Sequence, residues 1–173
     1  MPTALITGTS QGLGLALAER LLAEGWIVHG FARGAQTLAH ERFRAHVVDV
    51  TDENAVRAAV ATISEAGRID LLVNNAIYVG PGNDVRFADT DPDDIVRRSN
   101  GNLIAPLLFT QGFLQHALSN PANPTTSLRA TILNITSDAG KRTPERMAGN
   151  GGWSLMYAAT KAGFHRIADM LAH

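Results

Sequence analysis

The sequence predicts an α/β fold in which a doubly wound parallel sheet lies between two layers of helices, a three-layer α/β/α architecture. Short apolar runs that suit buried strands alternate with longer segments of helical apolar spacing. Gly8, Asp49, Asn74 and Ser137 each come directly after a predicted strand. Ligands of such sheets bind at the carboxyl ends of the strands, so these four residues mark the expected ligand edge.

Five strands and four long helices account for most of the chain. The strands are placed near 3–7, 26–31, 44–48, 69–73 and 129–135. The helices are placed near 12–24, 52–66, 92–118 and 153–172. Asp52 suits an N-cap of the second helix, and Asp91 followed by Pro92 suits the start of the third. No internal boundary is visible, so residues 1–173 are expected to form a single domain.

The connecting segments carry further expectations. Segment 76–90 is expected to be a flexible loop, and segment 119–128 a surface connection. Segment 138–152 is rich in glycine and is expected to form one wall of a substrate pocket. The acids of Asp91–Asp94 suit the dipole at a helix start, and Arg97-Arg98 is expected to be a solvated face.

Composition bounds the classes of partner. The 173 residues, 45% of them hydrophobic, suit a globular domain with a sizeable core. A formal net charge of −1 favours neither nucleic acid nor an anionic membrane surface as a partner. The lack of cysteine, of an N-terminal signal and of a membrane-length apolar run makes a cytoplasmic protein the expectation. The six histidines have no metal-ligand spacing, so no metal site is expected.

A glycine-rich turn follows the first predicted strand and opens the first predicted helix. Glycines let a backbone approach a pyrophosphate, and the helix N-terminus offers free N–H groups and a positive dipole end. The spacing is G-x-x-x-G-x-G, without the lysine that follows the last glycine in phosphate loops. The spacing also differs from the G-x-G-x-x-G of generic Rossmann sites, and the turn is interpreted as a dinucleotide site, with an ordinary structural turn as the alternative. The expected cofactor contacts in the turn are Gly8, Ser10, Gln11, Gly12, Leu13 and Gly14.

Tyr157 and Lys161 lie four residues apart on the last predicted helix. Such residues share a helix face, with Cβ atoms roughly 5–6 Å apart. A phenol titrates near pH ~10, and a neighbouring cation favours the phenolate and lowers that pKa. The pair is therefore suited to exchange a proton with an alcohol or carbonyl oxygen near neutral pH.

The turn and the pair resemble two motifs of the short-chain dehydrogenase/reductase family, and further matches extend the resemblance over residues 3–164. Thr7–Gly14 fits the family's T-G-x-x-x-G-x-G turn, and Tyr157–Lys161 fits its Y-x-x-x-K pair. Asp49 and Val50 are similar to the Asp-Val after the family's third strand, whose carboxylate receives the adenine amino group. The resemblance implies an oxidoreductase that transfers hydride between a nicotinamide cofactor and a small carbonyl or alcohol compound.

The resemblance also implies roles for single residues outside these motifs. Asn75 and Ala76 are similar to part of the family's N-N-A-G sequence and are expected to contact the cofactor. Ser137 is expected to hold and polarise the substrate oxygen. Asn102 is expected to anchor a proton-relay water.

Tyr157 is expected to act as the general acid/base. Lys161 would lower the pKa of Tyr157 and hold the nicotinamide ribose, so both residues are also expected to contact the cofactor. The expected catalytic residues are Asn102, Ser137, Tyr157 and Lys161.

Three features depart from the family's pattern. Ile77 stands where the family has the glycine of N-N-A-G, and Lys141–Arg146 lengthens the segment between Ser137 and Tyr157. The sequence stops at His173, within the helix that carries Tyr157, whereas family members continue through two further strands and a substrate-covering loop. The Rossmann-like sheet is therefore expected to lack its last strands, and the domain to be incomplete at its C-terminus.

The end of the second strand bears on the choice of cofactor. NAD-selective sites usually place an acid there, which holds the ribose 2′-hydroxyl. Here Ala32 takes that position and Arg33 follows it, and an arginine can bind a 2′-phosphate through two parallel hydrogen bonds. NADP(H) is therefore expected in preference to NAD(H). The alternative is that Arg33 is a solvated turn residue.

The sequence leaves three hypotheses open. The first is an NADPH-dependent carbonyl reductase that forms a homodimer or homotetramer through helices 92–118 and 153–172. The second is a non-catalytic nucleotide-binding remnant that acts as a sensor or interaction module, motivated by Ile77 and the missing strands. The third is a fragment that folds only with its missing part, because its sheet edge is uncovered.

Overall fold

The computed structural model describes residues 1–63, 67–80, 85–119, 130–146 and 148–171. The strands are β1 Thr3–Thr7, β2 Ile27–Ala32, β3 Phe43–Val47, β4 Leu71–Asn74 and β5 Thr131–Asn134. The α-helices are α1 Gly12–Ala23, α2 Glu53–Thr62, α3 Pro92–Ser99, α4 Ala105–Ser119 and α5 Leu155–Leu171. The strands form one sheet in the order β3-β2-β1-β4-β5, and every neighbouring pair is parallel. The predicted α/β class with a parallel, Rossmann-like sheet is confirmed.

Strand β1 shows how the layers are built. All five of its residues are buried, as a central parallel strand between two helical layers requires. Leu5 enters one core with side chains of α2 and α4, including Val56 and Phe109. Ala4 and Ile6 point to the opposite face and enter a second core with side chains of α1.

Two predicted helix caps are present. The Asp52 carboxylate accepts hydrogen bonds from the N–H groups of Asn54 at 2.9 Å and Ala55 at 3.2 Å, at the start of α2. Asp91 accepts from the N–H of Asp93 at 2.9 Å, with Pro92 as the first residue of α3. Both carboxylates therefore satisfy N–H groups that have no partner within the helix.

The helix predicted over 92–118 is not continuous, because a π-turn at Asn100–Ile104 separates α3 from α4. Pro106 supplies the physical reason. In an α-helix the carbonyl of Asn102 would accept a hydrogen bond from residue 106, and proline has no N–H to donate. The chain accommodates the missing donor by widening one turn.

Arg97 and Arg98 of α3 were both expected to be solvated, and this expectation is wrong for Arg98. Arg97 is exposed, but Arg98 is buried and forms an ion pair with Asp94, also buried, at 2.5 Å. The two residues lie four apart on one helix face, so the carboxylate can contact the guanidinium while both are buried. Asp94 lies in the first turn of α3, as the helix-dipole expectation requires, and in addition it balances the charge of Arg98.

Strand β5 forms one edge of the sheet. Leu133 lies in register with Val73 on the α1 face of the sheet and remains 42% exposed. Of segment 119–128, predicted to be a surface connection, residues 120–128 lie outside the described residues, as do 81–84 of the predicted loop 76–90. In the described part of the chain no helix is long and apolar enough to cross a membrane.

Candidate active site

The glycine-rich turn joins β1 to α1 and depends on its glycines. Gly8 and Gly12 have φ angles of +80° and +59°, which glycine adopts without a steric cost. Gly14 is required for a different reason: its backbone lies so close to Gly8 that a Cβ there would be 2.2 Å from the Gly8 carbonyl oxygen. Ser10, Gln11 and Leu13 are exposed around these glycines.

This turn fits the pyrophosphate of a dinucleotide. Gln11 precedes α1 and makes no side-chain cap hydrogen bond, so its side chain leaves the N–H groups of the first helical turn open. An exposed backbone that carries open N–H groups at a helix N-terminus is a favourable anion site. Gly12 adds no Cβ that would crowd a ligand at this surface.

A reciprocal set of hydrogen bonds between Thr7 and Asn75, which we term the Thr7–Asn75 clamp, fixes the turn to the end of β4. The Thr7 hydroxyl accepts from the N–H groups of Asn75 and Ala76, both at 3.0 Å. The Asn75 side-chain amide donates to the carbonyl of Thr7 at 2.8 Å and to that of Gly8 at 3.3 Å. The side chain of Asn75, expected to contact the cofactor, therefore holds the glycine turn in place.

Gln36 is a second support of the turn, and the sequence gives no signal for it. Its amide nitrogen donates to the carbonyl of Gly30 at 2.9 Å and to that of His46 at 3.2 Å. Its amide oxygen accepts from the hydroxyl of Thr9, a fully buried residue of the turn. The loop after β2 is therefore tied to the glycine turn.

The other expected cofactor contacts lie at the same edge of the sheet. Arg33 is exposed and directly follows β2, which ends at the buried Ala32. Asp49 accepts hydrogen bonds at 2.9 Å from the N–H and from the hydroxyl of Thr51. Val50 packs against the core between the sheet and α2. Ile77, the residue in place of the family's glycine, is 42% exposed after β4.

Ser137 lies just beyond β5 at the start of a short 3₁₀ turn, Asp138–Gly140. Its hydroxyl oxygen accepts from the N–H of Ala139 at 3.2 Å. The end of this turn touches α5 so closely that a Cβ at Gly140 would lie 2.7 Å from the carbonyl carbon of Lys161. This contact brings the loop of Ser137 against the helix that carries the Tyr-Lys pair.

Lys161 is a buried cation. It is 5% exposed, and its Nζ donates to the carbonyl of Ile135 at 2.9 Å. Burial lowers the pKa of Lys161, because the charged form loses solvation. Tyr157, one turn earlier on α5, is half-buried. The structure therefore brings Ser137, Tyr157 and Lys161 to the carboxyl end of the sheet.

Asn102 lies in the π-turn and is 2% exposed. Its side-chain oxygen accepts from the N–H of Tyr78 at 2.8 Å, and its amide nitrogen donates to the carbonyl of Tyr78 at 2.9 Å. The side chain thus holds the segment that follows β4 against the π-turn. Its main-chain carbonyl is the group that Pro106 leaves without the usual donor.

A hydrogen-bonded chain that the sequence did not reveal reaches the start of α5. Arg98 donates from Nη1 to the hydroxyl oxygen of Ser154 at 3.2 Å. The same oxygen accepts from the N–H of Tyr157 at 3.2 Å. The spacing of Asp94 and Arg98 was a readable signal for an ion pair, but nothing local indicates its burial or its contact with Ser154.

The glycine-rich segment 138–152, apart from residue 147, is among the described residues. It lines an open cleft of about 740 Å³ together with Trp153. The charged residues that line this cleft are Arg142, Glu145 and Arg146. Its use as a wall of the substrate pocket stays a prediction. Across the residues that the structure describes, no three His, Asp or Glu side chains are grouped so that they could hold a metal ion.

Comparison with known proteins places the chain in a family. Residues 2–173 match the family model described as short chain dehydrogenase. The chain is 32% identical over 164 residues to "Benzil reductase ((S)-benzoin forming)" of Bacillus subtilis (strain 168). The aligned region covers 92% of this chain and 61% of that protein. Thus it spans about three fifths of the length of this curated relative.

Two solved structures are similar to this one. The 3-oxoacyl-[acyl-carrier protein] reductase from Brucella melitensis in complex with NAD superposes with a TM-score of 0.80 at 26% identity, over 99% of this chain and 66% of that one. A metagenomic short-chain oxidoreductase in complex with NADP superposes with a TM-score of 0.78 at 26% identity, over 99% of this chain and 74% of that one. With the family model matched along nearly every residue, the chain belongs to the short-chain dehydrogenase family.

Proposed function

We propose that this protein is an NADP(H)-dependent oxidoreductase that interconverts a carbonyl and an alcohol on a small molecule. The observation that carries the proposal is the close contact between the turn after β5 and helix α5. It gathers Ser137, Tyr157 and Lys161 at the edge of the sheet where the glycine turn also lies. Membership of the short-chain dehydrogenase family supports the reaction class.

The glycine turn and the ends of the neighbouring strands would bind the cofactor. Open N–H groups at the start of α1 would hold the pyrophosphate, and Arg33 would hold a 2′-phosphate. The bound nicotinamide cofactor supplies or accepts the hydride. One similar structure is in complex with NAD and another with NADP, so the preference for NADP(H) rests on Arg33 and on the apolar Ala32 before it.

Ser137 is arranged to donate to a substrate oxygen. Its hydroxyl oxygen already accepts the N–H of Ala139, which leaves its own proton for a further acceptor. A hydrogen bond from Ser137 would polarise the carbonyl and stabilise the charge that develops on its oxygen. Tyr157 would give that oxygen its proton in reduction and remove it in oxidation.

Lys161 would assist Tyr157 through its charge. One ammonium N–H is held by the carbonyl of Ile135, and two remain for the cofactor ribose and the proton path. A cation in this buried position would stabilise the negative charge that develops on the Tyr157 oxygen as its proton leaves. A water that connects Lys161 to solvent would bind the main-chain oxygen of Asn102, because the side chain of Asn102 is engaged with Tyr78.

The first test is replacement of Tyr157 by phenylalanine, which keeps the ring and removes the proton. With NADPH, and with benzil and a 3-oxoacyl thioester as probe substrates, we expect turnover to fall by about 10²–10⁴-fold, the usual contribution of a general acid. The affinity for NADPH should stay within about twofold, since the glycine turn is untouched. Turnover close to that of the wild type would reject the mechanism.

The wild-type chain separates the competing hypotheses. Saturable NADPH binding with turnover that depends on Tyr157 supports the reductase. Saturable binding without turnover on a panel of ketones, aldehydes and alcohols would instead indicate a nucleotide-binding protein without catalysis. Absence of binding, together with aggregation, would indicate a chain that needs a further segment.

The second test is Arg33→Asp. A carboxylate at this position would repel a 2′-phosphate and hold a ribose 2′-hydroxyl. We expect the ratio of NADPH to NADH affinity to fall by roughly 10–100-fold, the scale of losing a charge-assisted hydrogen bond. Arg166→Asp, at an exposed position on α5, is the matched control. An unchanged ratio in Arg33→Asp would show that Arg33 does not select the cofactor.

We further propose that residues 1–173 unfold as one domain and that the protein forms a homodimer or homotetramer through α4 and α5. Leu118 near the end of α4 and Met170 near the end of α5 are exposed. Calorimetry should give a single unfolding transition, and light scattering a mass of two or four chains. A monomer at micromolar concentration would reject the assembly.

A further inference from the structure

We propose that Asp94, Arg98 and Ser154 form a positioning relay that fixes the first turn of α5 and, through it, the place of Tyr157. None of the three touches the reacting atoms, so each is a positioning residue. The kinetic part of the inference rests on the proposed function, whereas its structural part stands on the contacts alone.

The relay begins at a buried ion pair. The side chains of Asp94 and Arg98 are 8% and 3% exposed, and Arg98 Nε lies 2.5 Å from the Asp94 carboxylate. Gly80 closes over the pair, since a Cβ there would lie 2.5 Å from Asp94 Oδ1 and 2.6 Å from Arg98 Nη2. Charges so buried are kept in place by their partners, and the guanidinium therefore has a fixed orientation.

The Arg98 guanidinium donates a hydrogen bond from Nη1 to Ser154, the residue that caps α5. Ser154 directly precedes α5, is 8% exposed, and accepts the N–H of Tyr157, the third residue of the helix. This is the geometry of an N-cap serine, which satisfies an N–H group that the helix itself leaves without a partner. Because Arg98 donates to the same oxygen, the rotamer of the capping hydroxyl is set by α3.

The position of Tyr157 depends on this cap. Tyr157 lies in the first turn of α5, and helix ends fray where their free N–H groups are unpaired. A frayed first turn would move the Tyr157 ring relative to Lys161, which lies one turn further into the helix. Asp94 also balances the charge of Arg98, because a lone cation near a helix N-terminus is unfavourable.

The test compares three variants with the wild-type chain. Ser154→Ala removes the shared acceptor. Ser154→Asn supplies another good N-cap oxygen and should restore the turn. The paired change Asp94→Leu with Arg98→Met removes both charges together, which avoids the unpaired buried charge that a single change would leave and that would endanger folding.

The readouts are amide hydrogen exchange at Tyr157, with the amide of Phe164 as the internal control, and steady-state kinetics. We expect Ser154→Ala and the paired change each to speed exchange at Tyr157 by about fivefold, the scale of one lost helix cap. Exchange at Phe164 should change by less than about twofold, because Phe164 lies in the middle of α5. Ser154→Asn should match the wild type.

In kinetics, kcat should fall by about fivefold in Ser154→Ala and in the paired change, while the Kd for NADPH stays within about twofold. Combining all three substitutions should give no further loss, since the residues act through one contact.

Unchanged Tyr157 exchange in Ser154→Ala would overturn the proposal. Unchanged exchange in the paired change alone would overturn the role of the ion pair. If the wild-type chain has no turnover, the proposed function fails, and the exchange rates still decide whether the relay exists.

Discussion

At the scale of single residues, His29 and His46 form a pair whose protonation matters for stability. His29 Nδ1 lies 3.0 Å from His46 Nε2, and the His46 ring stacks on Phe31 with centroids 4.6 Å apart. Burial, followed by the charges of His46 and Arg44, lowers the pKa of His29 from its usual 6.5 to about 4. Burial also lowers the pKa of His46. The folded state therefore favours the neutral pair.

This pair predicts acid sensitivity. A group with a lowered pKa in the folded state contributes stability above its unfolded pKa, and that contribution is lost as the pH falls from 6.5 through about 4. After discounting for partial exposure, we expect the wild type to lose about 1–2 kcal/mol more than His29→Gln between these pH values. Urea unfolding across this range measures the difference. His40→Gln, at an exposed position, should behave as the wild type.

Sequence reasoning identified residues whose chemical type is informative and missed those whose role depends on a distant partner. Tyr157 and Lys161 were readable because their spacing alone places them on one helix face. Gln36 contacts Thr9 across 27 positions of the chain, and Arg98 contacts Ser154 across 56. No local pattern reports such contacts, since the fold alone brings the partners together.

At the scale of elements, the turn between β1 and α1 predicts the effect of a single methyl group. In Gly14→Ala the added Cβ would lie 2.2 Å from the Gly8 carbonyl oxygen and 2.5 Å from the Asn75 amide nitrogen, so the turn must shift. We expect NADPH affinity to fall by at least about tenfold, because the turn would move away from the pyrophosphate. Isothermal titration calorimetry provides the measurement.

Gly34→Ala is the control for that experiment. A Cβ added at Gly34 would meet no atom within 4 Å beyond its chain neighbours, and the φ of Gly34 lies outside the left-handed region. The NADPH affinity of this variant should therefore stay within about twofold of the wild type. Equal losses in the two variants would show that the close approach at Gly14 is not what shapes the site.

The strands were predictable to within two residues at each end, because most are short apolar runs between polar or glycine residues. Strand β3 is the exception, since it alternates apolar residues with Arg44 and His46. The long helix 92–118 was not, although its sequence carried the signal. Pro106 removes an N–H in the middle of the predicted helix, and the result is the π-turn at Asn100–Ile104. The same turn holds Asn102, so the unpredicted break lies at a predicted site residue.

At the scale of the whole molecule, the sheet edge at β5 predicts self-association. Leu133 is 42% exposed on an edge strand, and such strands pair with other chains when they are apolar and uncovered. We expect Leu133→Lys to lower light scattering at high protein concentration without lowering the melting temperature. Phe87→Lys, at a residue 48% exposed outside the strands and the α-helices, should leave scattering unchanged. If scattering stays the same in Leu133→Lys, the association has another origin.

The Thr7–Asn75 clamp has a consequence for the order of folding. Its hydrogen bonds join residues 67 to 69 positions apart, so they form only after β4 has paired with β1. Contacts of such separation are costly to close and arise late on a folding pathway. A nascent chain that ends before β4 would therefore carry the whole glycine motif and yet have no rigid turn. Nucleotide added during refolding would bind only chains that have completed this step, and would draw them out of the unfolded population by mass action.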